Sequence, residues 1–251
     1  MKEGQRLWSR EELLLVINLY CKIPFGRMHR QNPQVIALAS AIDRTPSSVA
    51  YKLVNFAHLD PKLDRKGASN VSKLDREVWG EFNNTWDTLL MASEEMWRER
   101  VQETTYEPVE KGDDPAVGEG KEVVRMVKVR ANQNLFRQIV LSNYDVTCCI
   151  TGIDEPSLLI ASHILPWSRS EENRLNPHNG LCLNALHDRA FDRHLITIDA
   201  GTCTVYVSSK LTSSPALVQN FGVYEGAEIL PAKKFAPSPE FLHRHNELFI
   251  P

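Results

Sequence analysis

The stretch LLIASHILPWSRSEENRLNPHNGLCLNALHDRAFDRHLITID, Leu158 to Asp199, decides how the C-terminal half of this chain is read. LLIASHI is a short run of β-branched and large apolar residues, and predicts a strand over 158–164. A polar loop with two prolines follows, LPWSRSEENRLNPHN. GLCLN predicts a second strand over 180–184, and ALHDRAFDRHL a short helix over 185–195. The stretch holds four of the eight histidines of the chain. His163 closes the first strand, Asn179 comes 16 positions later, and His187 follows after 8 more.

The wider chain sets limits on what this stretch can do. It has 251 residues, enough for one large domain or two small ones. Its 42% apolar and 24% charged residues are ordinary for a globular protein. No apolar run reaches the roughly 18 residues that span a bilayer. The opening MKEGQRLWSREELLLVINLYCKIPF has charges on both sides of its apolar part and lacks the order of a signal peptide, so a cytoplasmic location is expected. Five scattered cysteines give neither a paired framework nor a CxxC knuckle, and read as reduced, mostly buried thiols. A net charge of −3 gives no global basic signature, so contact with nucleic acid has to rest on local patches.

The chain divides near residue 110. QETTYEPVEKGDDPAVGEGKE, residues 102–122, is acidic, rich in Pro and Gly, and without apolar period, as a linker is. A helical domain over 1–101 and a mixed domain over 123–251 are expected, an α+β protein overall. In the first, WSREELLLVINLYCKI starts a helix with Ser9 as cap and Glu12 completing a capping box. NPQVIALASAI gives a second helix capped by Asn32 with Pro33 at its first position. TPSSVAYKLVNFAHL gives a third, capped by Thr45, with Val49, Leu53 and Phe56 inward. Its other face is expected to carry Ser47, Ser48, Tyr51, Lys52 and Asn55, with Arg44 just before it. A short turn and then a helix of this kind is how helix-turn-helix modules meet DNA. LWSREE together with RTPSSVAYKL resembles a Myb-type or helix-turn-helix unit, and the same helix in a plain bundle would simply be solvated. KLDREVWGEFNNTW adds a helix with Leu74, Val78, Trp79 and Phe82 inward.

In the C-terminal domain VKVRANQNLFRQIVLSNY predicts a helix with Arg130, Gln133 and Arg137 on one face, a candidate phosphate-contacting stripe, and Leu135, Ile139 and Val140 on the other. LITID, GTCTVYVSS and EILPAKKF predict added strands, and SPEFLHRHNELF a closing helix. His178, His194, His243 and His245 are expected at the surface, and Trp167 packed in the loop.

The blocks CCITG, ASHILPW, RLNPHNGLCLN and LHDRAFDRHLITID, in that order, resemble the HNH nuclease family, whose core is the ββα-metal motif. The resemblance covers roughly residues 125–200, and its phrasing is similar to the branch found in restriction and phage-defence proteins. It implies a metal-dependent DNA endonuclease. His163 is then the general base, since neutral imidazole takes a proton near pH 7. His187 is the implied metal ligand. Asn179 stands at the middle residue of the motif, which either ligates metal or ties the loop to the active strand. The implied cofactor is a divalent ion: Mg²⁺, Mn²⁺, Co²⁺ or Ni²⁺. Two departures stand out. Many members carry Asp or His before the catalytic His, and here Ser162 stands there. Position 191, where some members have a second metal His, is Phe, while Asp188 and Asp192 lie nearby as further candidates. Arg174, Arg189 and Arg193 are candidate phosphate contacts.

Together these features read as a helical, helix-turn-helix-like domain that selects double-stranded DNA, followed by a ββα-metal HNH domain that cuts it. A homodimer would place one site on each strand. The rival readings are a DNA-binding regulator on a decayed nuclease fold, and a nuclease whose N-terminal domain binds a protein partner.

Overall fold

The structure is a computed structural model and describes residues 6–60, 70–101, 121–167 and 170–251. The expected linker falls almost wholly outside these residues. The chain forms two compact units, which divide between Leu135 and Phe136.

The first unit is helical: α1 (Arg10–Lys22), α2 (Pro33–Ala41), α3 (Pro46–Leu59), α4 (Lys73–Asn84) and α5 (Trp86–Val101). α1 buries every residue from Glu12 to Cys21. LLLVINLYC is apolar nearly all round, and a helix of that kind belongs inside a bundle rather than on its surface. The capping signals act as expected. Ser9 and Glu12 close a reciprocal capping box, Asn32 accepts from Gln34 N at 2.8 Å, and Thr45 accepts from Ser48 N at 3.2 Å. Each satisfies a first-turn N–H that has no partner inside the helix. Val49, Leu53 and Phe56 of α3 are fully buried, as are Val78 and Phe82 of α4. α5 adds to the helices expected from the sequence, and Trp86, Leu90, Ser93 and Trp97 bury one stripe of it at helical spacing.

The polar face of α3 needs correction. Lys52 and Asn55, expected outward, are 6% and 1% exposed. Lys52 Nζ donates to both carboxylate oxygens of Asp75 on α4, at 2.9 Å each, and Asn55 Nδ2 donates to Asn70 O at 3.4 Å. Arg44 is also committed inside its unit. Its guanidinium donates to Glu12 at 3.0 and 2.8 Å and to the carbonyls of Arg6 and Leu7, and it stacks 4.0 Å above Trp8. The side chains left outward on α3 are Ser47 and Tyr51, with Ser48, Val54 and His58 half-buried beside them.

The second unit begins within α6 (Lys121–Asn143). β1 (Leu159–His163) pairs antiparallel with β2 (Gly180–Asn184), from Leu159 opposite Asn184 to His163 opposite Gly180. α7 (Ala185–Asp192) follows β2 directly, capped by the Asn184 side chain. β3 (Ile196–Ile198) and β4 (Val205–Val207) form a second hairpin, and α8 (Pro215–Asn220) and α9 (Pro239–Asn246) follow. Phe136, Ile139 and Val140 of α6 join Leu159, Leu181, Leu183, Phe191 and Ile196 in the core. The strand expected over EILPAKKF does not form, apart from a single bridge between Thr204 and Glu228. Its backbone goes elsewhere: the N–H groups of Lys234 and Phe235 both donate to Asn143 Oδ1 at 2.9 Å. Among the described residues no helix is long and apolar enough to cross a membrane.

Candidate active site

His163 is the last residue of β1, where the strand gives way to the loop. Its Nε2 lies 3.0 Å from the carbonyl oxygen of Arg174. A carbonyl only accepts, so Nε2 carries the proton and the lone pair of the neutral ring is on Nδ1. The ring lies flat on Phe136 of α6, with centroids 3.7 Å apart and planes 11° apart, and meets the edge of Trp167 at 5.4 Å. Burial lowers the His163 pKa below 6.5, and the Arg174 carbonyl offsets this only in part. The ring is therefore neutral at pH 7, with a base nitrogen held in a fixed plane.

The loop that supplies the Arg174 carbonyl is held by Asn179. Its Oδ1 accepts from Leu165 N at 2.7 Å, and its Nδ2 donates to Leu165 O at 3.2 Å and Asn173 O at 3.1 Å. Asn179 is 1% exposed. Of the two roles expected for Asn179, its hydrogen bonds among the described residues, all within the β1–β2 loop, support the loop tie.

His187 is 3% exposed, in the first turn of α7. Its Nδ1 lies 3.1 Å from Asn184 Oδ1, and Phe221 and Tyr224 lie against the ring at 5.1 and 5.3 Å. Burial lowers its pKa. The Asn220 carbonyl works the other way, though it does not reach hydrogen-bond geometry, and Nε2 is left buried without a partner. Among the described residues nothing fills the bonding position of this nitrogen.

The next residue, Asp188, is better placed. It sits beside Ser162, the neighbour of His163. Burial raises its pKa, the Ser162 hydroxyl lowers it, the like charge of Asp192 raises it and Arg189 lowers it. Ser162 Oγ is buried and makes no hydrogen bond of good geometry. No lysine or arginine forms an ion pair with Asp188 among the described residues. A half-buried carboxylate with an acidic neighbour suits a divalent cation, which relieves both the burial penalty and the repulsion. Among the described residues there is no ready-made cluster of three or more His, Cys, Asp or Glu side chains. A divalent ion here would be held by few protein groups, with Asp188 and Asp192 as the residues that would hold it.

The remaining candidates separate by place. Arg137 donates to Leu159 O at 2.6 Å and Pro156 O at 2.9 Å, and so clamps the start of β1. Arg174 donates from Nε to Trp167 O at 3.1 Å and stacks 5.1 Å from the Trp167 ring, next to His163. Arg130 and Gln133 are exposed on α6. Of the four histidines expected at the surface, His243 is exposed, His178 and His194 are half-buried, and His245 needs correction. His178 Nδ1 lies 2.6 Å from Ala236 O. His245 is 3% exposed, stacks on Phe191 at 3.8 Å, and lies 3.2 Å from His194 Nδ1.

Phe136, on which the His163 ring lies, is a residue the sequence did not single out, and Asp188 appeared there only as a further candidate. Phe136 sits in the apolar face of a predicted helix, and nothing in that face singles it out. Asp188 adjoins a more conspicuous histidine. Comparison with curated proteins gives no match. Residues 148–199, which carry β1, its loop, β2, α7 and β3, match the family model described as HNH endonuclease, so this part of the chain is similar to an endonuclease domain.

Proposed function

We propose that this chain is a metal-dependent DNA endonuclease in which His163 is the general base. The carrying observation is the tautomer: Nε2–H held by the Arg174 carbonyl presents the Nδ1 lone pair at the end of β1. In the proposed step Nδ1 takes a proton from water as the water oxygen bonds to phosphorus. The P–O3′ bond breaks, and the leaving oxygen is protonated from solvent. The imidazolium then returns its proton to bulk water. Asp188, supported by Asp192, would hold a divalent ion, and such an ion supplies a Lewis acid for the charge that builds on the phosphoryl oxygens. Oxygen ligands favour Mg²⁺ or Mn²⁺ over the Co²⁺ and Ni²⁺ that an imidazole site prefers.

The first unit is proposed to choose DNA through the exposed side of α3. Ser47, Ser48 and Tyr51 offer hydroxyl groups to bases or phosphates. Arg44, Lys52 and Asn55 are not part of that surface, since they are bonded within the unit. Arg130 and Gln133 on α6, and Arg174 in the β1–β2 loop, remain proposed contacts to the DNA backbone. Cutting both strands with one site per chain calls for two copies. A restriction role rests on the resemblance of the sequence blocks, and is tested on plasmids from modification-proficient and modification-deficient hosts. Unequal cleavage supports it, and equal cleavage of the two counts against it.

The central test is His163→Ala on plasmid DNA with Mg²⁺ or Mn²⁺. Loss of a general base costs about 10²–10⁴ in rate. Unchanged cleavage by a folded His163→Ala protein would falsify the assignment.

A further inference from the structure

We propose that Phe136 is a positioning residue for His163, and that position 180 is glycine so that Val140 and, beside it, Phe136 of α6 can lie close against the strand pair; the inference rests on His163 being the base. The Arg174 carbonyl fixes one nitrogen of the ring, which leaves rotation about that hydrogen bond open. His163 is also at a strand end, where the backbone restrains it least. The Phe136 face removes the remaining freedom, because a ring 3.7 Å away and 11° from parallel leaves no room to tilt. Trp167 closes a second side edge-on, at 86°. Two arginines near the ring are engaged with backbone: Arg137 with the carbonyls of Leu159 and Pro156, and Arg174 with the Trp167 carbonyl.

Gly180 is the residue opposite His163 in the strand pair. Its backbone is ordinary extended chain, φ −122° and ψ 137°, as the strand expected over GLCLN requires. It is there for space. A Cβ at 180 would collide with Val140 Cγ2 and stand 3.1 Å from Phe136 Cζ. Both are rigid side chains on α6, so relief requires α6 to move off the strand pair and take the Phe136 ring with it. The lead-in helix thus acts on the site through one ring, and the strand leaves one gap to admit it.

The test compares Phe136→Leu, Phe136→Tyr and Gly180→Ala in the full chain. Cleavage is measured in single turnover at saturating enzyme on supercoiled plasmid, beside DNA affinity. Phe136→Leu keeps apolar volume and removes the flat face. Its rate is expected to fall about 10–100-fold with affinity unchanged, as a misplacement near 1 Å does. Phe136→Tyr restores the face and is expected to stay within about threefold of the parent. Gly180→Ala is expected to follow Phe136→Leu. Adding Phe136→Leu to His163→Ala should cost nothing more, since Phe136 acts only through His163. NMR gives an independent reading: the ring current of Phe136 shifts the His163 ring C–H resonances upfield, and Phe136→Leu returns them. A folded Phe136→Leu protein with the parental rate, or with unmoved His163 resonances, overturns the proposal. So does a Phe136→Tyr protein as slow as Phe136→Leu. A fully active His163→Ala protein sinks the base reading instead, and leaves the resonance shift standing.

Discussion

His163 shows how much one side chain depends on its surroundings. As a histidine on an apolar strand it is ambiguous; with Nε2–H on the Arg174 carbonyl it has a defined tautomer. Its lowered pKa gives a pH prediction. A base held below the ordinary histidine range is mostly unprotonated at neutrality, so the single-turnover rate should change little above pH 7 and fall as the solution is made acidic. A rate that still climbs steeply above pH 7.5 would point to a different base. The same logic reaches stability through His245. Burial pushes its pKa down to about 4, while the Phe191 carbonyl raises it and His194 lowers it. A depressed folded-state pKa means the unfolded chain binds the extra proton first. Stability is then fully present above about pH 6.5, falls as the pH drops, and levels off near 4. The loss is about 3 kcal/mol, with His163 and His187 adding in the same direction. Thermal melts of wild type and His245→Gln between pH 7 and 4 measure it. A melting temperature indifferent to pH over that range counts against this account.

At the scale of the element, α3 gives the clearest contrast between its two sides. Lys52→Ala removes the partner of Asp75, which is fully buried, and leaves that carboxylate unpaired. Breaking a buried pair in this way costs about 3–5 kcal/mol. Chemical denaturation should therefore show a large loss of stability, and weakened DNA binding by that variant would report unfolding rather than recognition. A combined Ser47→Ala, Tyr51→Ala change removes only surface groups. It should leave the melting temperature nearly unchanged and weaken DNA binding by roughly 1–3 kcal/mol for each base that is no longer read. The deficit should vanish at saturating protein, since the chemical step is untouched. If binding titrations show no change, α3 is not the reader and the protein-partner reading of this unit gains ground.

For the whole molecule, the metal requirement is the decisive property. EDTA should stop cleavage, and Mg²⁺ or Mn²⁺ should restore it. Asp188→Asn should raise the metal concentration needed for half activity more than His187→Gln does, because the Asp188 carboxyl adjoins Ser162 while His187 is walled in by Phe221 and Tyr224. Activity that persists in excess chelator would remove the metal from this reading. A greater effect of His187→Gln on the metal titration would return the ligand role to that residue.

The sequence by itself determined whatever is local. Ser9, Asn32 and Thr45 cap the helices they announce, because a cap acts within three residues of its own position. The strand–loop–strand–helix order was equally legible, since each piece has its own apolar period and the loop its prolines. His163 was legible as the candidate base through the spacing of the motif. Tertiary structure decided what depends on partners far along the chain. Lys52 looked solvated until Asp75, 23 residues on, met it inside the unit. The sequence left Asn179 two roles, and its bonds to Leu165 and Asn173 depend on a loop that only the fold closes. Between His187 and Asp188 the sequence favoured the histidine as metal ligand. Adjacent residues on a helix point about 100° apart, and only the docking of α7 shows that Asp188 lies beside Ser162 while His187 lies against Phe221 and Tyr224.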